Sequence, residues 1–225
     1  ATLSFASGVL VSAEKLVVCK GCSYSTMDTA IDKANPGDTV LIKEGLYKEH
    51  LKIDKDLLIK GQNKQEVTIR SNRTDHPIFI IGPSAIDVTI TDLTVWDAGG
   101  LHCDGEDNAC PYGLVARGKS NIKLSNVKIA RNSHGGIFLS DSAEATVKDS
   151  HITNNLYGGI HLSGSAKINL EDNNIVNSNG AGIFLADSSE ATIVNNMIRD
   201  HGDGISLRDK ASAKMKFNTV RGTSS

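Results

Sequence analysis

Tyr157, His161 and Arg208 are the residue types that a reaction on an acidic sugar would use. β-Elimination of a uronate needs a base near C5 and a cation that neutralises the carboxylate. Tyr157 or His161 could serve as the base and Arg208 as the neutraliser. Phe138, Phe184 and Trp96 supply flat apolar rings for stacking on sugars, with His134, His201 and Asp203 as polar neighbours. Asp104, Glu106 and Asp107 form an acidic run that could hold Ca²⁺ as a different neutraliser, although their spacing is not that of an EF-hand loop. Asp141 and Asp187 could form an inverting-glycosidase pair, but Asp209 repeats their position, so a turn preference explains all three equally well.

These residues lie on a repeat. Gly113, Gly136, Gly159, Gly182 and Gly204 stand 23, 23, 23 and 22 positions apart. Each is followed by an alternating triplet, such as Ile137-Phe138-Leu139 or Ile160-His161-Leu162. Further alternating pairs (Ile122/Leu124, Ala145/Val147, Ile168/Leu170, Ala191/Ile193, Ala213/Met215) and single residues (Ile129, Ile152, Ile175, Ile198, Val220) follow at fixed offsets. A local period of two predicts strands, and three short strands per unit leave no room for helical crossovers. So short a unit cannot bury its own apolar face, so successive units must stack. The expected fold is all-β, a single-stranded parallel β-helix of about eight coils, each about 4.8 Å above the last. The middle residue of each glycine-led triplet then points outward, in the file Val115, Phe138, His161, Phe184 and Ser206. Asn126, Asp149, Asp172 and Asn195, followed by Asn173, Asn196 and Asn218, read as turn residues forming a side-chain ladder.

Weaker copies extend upstream, and one coil is delayed by the insertion running from Trp96 to Tyr112. Residues 1–225 read as one domain: an N-terminal segment and helical cap over 1–37, then the β-helix over 38–225 with its inserted loop at 96–112. Met27, Ala30, Ile31 and Ala34 have helical spacing, Ser25 or Thr26 can cap, and Asn35-Pro36-Gly37 stops the helix. This helix would cover the open strand edges at one end of the stack. The other end stops at Gly-Thr-Ser-Ser without a cap, which invites a partner, a further segment or a second copy.

Composition narrows the class. A formal net charge of −2 gives no global basic field for nucleic acid. No apolar run approaches the roughly 20 residues of a membrane span. Aromatics at 4% against 39% hydrophobic residues imply a thin core of Ile, Val, Leu and Ala. Leu3 to Val11 reads either as a clipped secretory signal or as a strand that caps the fold. Cys19 with Cys22, and Cys103 with Cys110, read as two local disulfides of an exported protein; metal or redox chemistry is the rival for the first pair.

The run Pro36-Gly37-Asp38-Thr39-Val40, Gly45-Leu46-Tyr47-Lys48-Glu49 and Ile53 to Gly61 resembles the opening of pectin-lyase-like right-handed β-helix proteins. The resemblance is nearest to NosD-like and related right-handed β-helix region proteins and covers residues 17–225. It is specific for fold and implies no single activity, since such proteins include lyases, hydrolases, esterases and non-catalytic accessory proteins. Gly45-x-Tyr47-x-Glu49 is similar to an early pectin methylesterase motif, but the later Asp-containing motifs of that group are missing. The resemblance also raises a copper-handling role, as in NosD-like proteins, without a Met/His cluster to support it.

The sequence therefore leads to two expectations. One is a secreted, periplasmic or cell-surface accessory protein that binds an extended polysaccharide or an envelope protein on its outer strand face. The other is a polysaccharide lyase or hydrolase acting on a uronate-containing glycan. Neither requires a cofactor other than the candidate Ca²⁺.

Overall fold

The computed structural model describes residues 12–73, 75–84, 86–100, 103 and 110–222. Its strands form three parallel sheets of nine, seven and eight strands, each strand pairing with its counterpart one coil away. Registers follow the sequence repeat: Ile137 pairs with Ile160, Ala145 with Ile168, and Ile152 with Ile175, with a shift between Arg199 and His201 in the last pairing of the eight-stranded sheet. The fold is the parallel β-helix that the periodicity predicts, right-handed as the resemblance implies. The longest sheet has nine strands rather than about eight because Lys15–Val18 joins it beside Thr39–Ile42.

The core is the column of inward residues. Phe79, Leu114, Ile137, Ile160 and Ile183 stack through one sheet, and Ile129, Ile152, Ile175 and Ile198 through another; all are buried. Each such side chain contributes about 1.5–3 kcal/mol by leaving water.

Polar residues turn the corners. Asn126, Asp149, Asp172 and Asn195 all take positive φ between the nine- and eight-stranded sheets. Behind them Asn173 accepts from Ser150 N–H at 3.0 Å and donates to Val147 C=O at 2.7 Å. Asn196 accepts in turn from Asn173, and Asn218 from Asn196. Burying an amide without partners is costly, and this ladder satisfies each one from the coil above or below.

Helix Met27–Lys33 buries Met27, Ala30 and Ile31 and is capped by Thr26. Glu49 sits at its N-terminus, where its carboxylate accepts from Met27 N–H at 2.9 Å and Asp28 N–H at 2.8 Å. Tyr47 donates its hydroxyl to Lys43 C=O at 2.9 Å. Within the Gly-x-Tyr-x-Glu motif, Glu49 thus seats the cap helix and Tyr47 ties its strand to the Lys43 and Val18 carbonyls. Residues 1–11, read as a signal remnant or capping strand, lie outside the described residues. In the last coil Met215, Phe217 and Val220 are exposed.

Candidate functional site

The outer face of the seven-stranded sheet brings most of the expected site residues together. Val115, Phe138, His161, Phe184 and Ser206 pair in one unbroken register, one per coil. Val115 is fully buried, so the exposed part of the file begins at Phe138. His134 reaches it from the preceding turn and packs against Tyr157, ring centroids 4.9 Å apart. Arg208 lies over the Phe184 ring at 5.2 Å.

The hub of this cluster is Tyr112, which in the sequence marks only the end of the insertion. Cys103 and Cys110 are disulfide-bonded, and Tyr112 N–H donates to Cys110 C=O at 2.7 Å, so the loop delivers its tyrosine directly onto the sheet. The Tyr112 ring stacks on Phe138 at 5.3 Å and meets His134 and His161 edge-on at 4.8 and 5.7 Å. Its hydroxyl lies 2.7 Å from His161 Nδ1, and the residue is only 4% exposed.

Two glycines make room for this layer. A Cβ on Gly135 would lie 2.4 Å from Tyr112 Cε1, and one on Gly158 would lie 2.4 Å from His161 Nε2. The doubled glycines that open these coils therefore do two jobs. The second of each pair faces the crowded interior, while the first lets a ring lie flat outside. That doubling was the available signal for a covered patch.

Burial sets the electrostatics. It pushes the Tyr112 phenol well above its usual range and drags His161 down to about 4, with His134 adding a smaller push in the same direction. His134 is lowered by burial too. At neutral pH, Tyr112 and His161 form a neutral pair in which either ring can donate. With Nδ1 engaged and Nε2 against the Gly158 backbone, His161 is packed into a hydrogen-bonded cluster. Tyr157, 52% exposed, is the open phenol of the group.

Other expected site residues fall elsewhere. His201 is fully buried at a corner of the coil: its Nδ1 accepts from Ser178 N–H at 3.2 Å and its Nε2 lies 2.9 Å from Ile175 C=O. It extends the interior ladder begun by Asn132 and Asn155, at the same 23-residue interval, and is a scaffold residue instead of a surface ligand group. Asp203 is exposed in the next turn, where its backbone carbonyl accepts from Gly182 N–H at 2.8 Å. Asp104, Glu106 and Asp107 lie outside the described residues.

Asp141, Asp187 and Asp209 all have positive φ, and each accepts a backbone N–H from a neighbouring coil (Gly118, Gly164 and Asp187 respectively). Turn geometry accounts for the trio. Cys19 and Cys22 are disulfide-bonded as well. The two Cys103–Cys110 sulfurs lie within 4.8 Å of a His134 ring nitrogen, but sulfurs bonded to each other offer no thiolate to a metal.

Trp96 belongs to a different face. It lies on the outside of the eight-stranded sheet, paired with Arg70 on one side and Ala130 on the other. It lines a groove of about 780 Å³ with Lys64, Lys128 and His151.

Comparison with known proteins agrees with the architecture. The profile described as "Right handed beta helix region" matches residues 76–225. No curated protein sequence matches the chain. Among solved structures it is similar to pectin methylesterase PemA from Erwinia chrysanthemi, at 13% identity and TM-score 0.62, covering 97% of this chain and 91% of that one. The pectin methylesterase of Aspergillus niger superposes with TM-score 0.65 at 15% identity, covering 95% and 87%. An alginate lyase from Paenibacillus sp. str. FPU-7 gives 0.63 at 14% identity, covering 92% and 95%. Identities this low establish a shared fold. With its repeat, its three parallel sheets and the matched two-thirds of its length, the chain belongs to the right-handed β-helix region family.

Proposed function

We propose that this protein is an exported, non-catalytic β-helix that binds an extended polysaccharide along the outer face of its seven-stranded sheet. The observation that carries the reading is the aromatic row itself. Tyr112 locks Phe138 and His161 into a fixed platform, and exposed Tyr157 and the Phe184–Arg208 pair flank it. A preorganised platform loses little entropy when a sugar ring stacks on it. The similar solved structures are pectin methylesterases and an alginate lyase, which supports a carbohydrate as the ligand class. Export is supported by two disulfides, which persist in oxidising compartments. Among the described residues no helix is long and apolar enough to cross a membrane. An envelope protein that uses the same face is the competing partner.

A glycan array followed by calorimetry on each hit tests the proposal. Binding should weaken at least tenfold in a Tyr157→Ala/Phe184→Ala variant. Unchanged binding in that variant would remove the proposed site.

The alternative, a lyase or hydrolase acting on a uronate-containing glycan, rests on exposed Tyr157 as the base and Arg208 as neutraliser. Incubation with pectate, alginate and glycosaminoglycans, followed at the unsaturated-product absorbance and by reducing ends, decides it. Product formation that disappears in Tyr157→Phe would favour catalysis over binding alone.

A further inference from the structure

The outer face of the eight-stranded sheet carries a second, chemically different surface. Cα pairing sets Thr68, Thr94, Lys128 and His151 in one file across four coils. Arg70, Trp96 and Thr153 lie two residues further along the same strands. The groove extends from the strand of Leu46 to that of Asn174, six strands or about 24 Å. That length accommodates several linked sugar rings.

Its charge is one-sided. Among the described residues, Lys64, Arg70 and Lys128 line it, and no Asp or Glu does. Arg131 adds a fourth cation at 5.0 Å from the Trp96 ring, which Lys128 also approaches, at 5.2 Å. Arg70 is paired with Asp97 at the rim. Lys64, Lys128 and Arg131 form no ion pair among the described residues. His151, between them, is held below its ordinary value by burial and then by Lys64 and Lys128, so the positive field is felt inside the groove. This concentration of cations stands out in a chain of formal net charge −2.

From the groove's shape, its indole and its unbalanced cations, we infer that it is a binding site for a linear polyanionic glycan, one carrying carboxylate or sulfate groups along its length. Trp96 supplies the stacking surface for a pyranose ring. Lys64, Lys128 and Arg131 pair with the anionic substituents, and Thr68 and Thr153 offer hydroxyls to the sugar hydroxyls, while Thr94 donates its own to Lys64 C=O at 2.8 Å. The site lies on a different sheet from the Tyr112 platform, so it goes beyond the preceding proposal and is testable separately from it.

Calorimetry with defined oligogalacturonate, oligoalginate and heparin-derived fragments, at two salt concentrations, tests it. At least one should bind, more weakly at the higher salt as exposed charge pairs are screened. Trp96→Ala should weaken that binding at least tenfold. Lys64→Glu/Lys128→Glu, which alters only groove-facing side chains, should weaken it at least tenfold at the lower salt, where the introduced repulsion is least screened. Thr146→Ala/Thr192→Ala, on the outer face of the nine-stranded sheet, should leave it intact. Loss in Tyr157→Ala/Phe184→Ala with binding kept in Trp96→Ala would overturn the inference by assigning the fragment to the Tyr112 platform. The inference is overturned if none of the anionic fragments binds, or if binding survives both groove variants. It is equally overturned if a single-stranded DNA oligomer binds as tightly as the best glycan, since that would make the surface a general polyanion site.

Discussion

The Tyr112 hydroxyl and His161 Nδ1 meet at 2.7 Å across 49 positions of sequence, joining the disulfide-closed insertion to the third coil beyond it. This bond fixes what the outer face presents. It turns His161 from an open imidazole into part of a packed platform, and leaves Tyr157, Phe184 and Arg208 as the groups that can reach a ligand.

The protonation of His161 provides a direct check. Its folded-state value of about 4 lies below the ordinary 6.5, so on acidification the unfolded chain takes up this proton first. The stability tied to His161 is therefore complete above pH about 6.5 and lost as pH falls toward about 4, amounting to at most about 3 kcal/mol. NMR titration should show the His161 ring neutral at pH 5.5. Chemical denaturation across pH 4 to 7 should show a shallower acid-side loss in His161→Gln than in the parent.

Gly135→Ala should cost about 1–3 kcal/mol, because its methyl would press on the Tyr112 ring and force the layer off the sheet. Near-UV circular dichroism should change with it. Gly99→Ala, where a Cβ meets nothing within 4 Å, is the control and should be close to neutral.

Tyr112→Phe keeps the ring but removes the hydroxyl from His161. Leaving a buried polar group without its partner costs about 1–3 kcal/mol, and the thermal midpoint should fall accordingly. If Tyr112→Phe melts with the parent, the bond is not what holds the platform.

Asn173→Ala tests the scaffold. It strips Ser150 N–H and Val147 C=O of their partners inside the stack and should destabilise by about 2–4 kcal/mol. Asn169→Ala, exposed on the outer face of the nine-stranded sheet, should cost much less.

The scaffold was legible because its signals are periodic. A step of two within strands and of 23 between coils is enough to assign Ile137, Ile160 and Ile183 to one inward column and Asn173 and Asn196 to one ladder. The same periodicity correctly interpreted would have assigned His201. It follows Asn132, Asn155 and Ser178 at intervals of 23, an interior ladder position, but its residue type drew it toward chemistry. Tyr112 was hidden for the opposite reason. It ends an insertion that breaks the period, and which face such a loop lands on depends on chain path rather than local pattern. Trp96 begins the same insertion, yet belongs to the preceding strand, which puts it one sheet away from Tyr112.

The most direct test of the central claim is calorimetric titration of a polysaccharide fragment identified by array into the parent protein and into Tyr157→Ala/Phe184→Ala. The account predicts measurable binding to the parent and at least a tenfold loss in the variant, with the folded state of both verified by thermal melting. Equal affinity in the two proteins would contradict it.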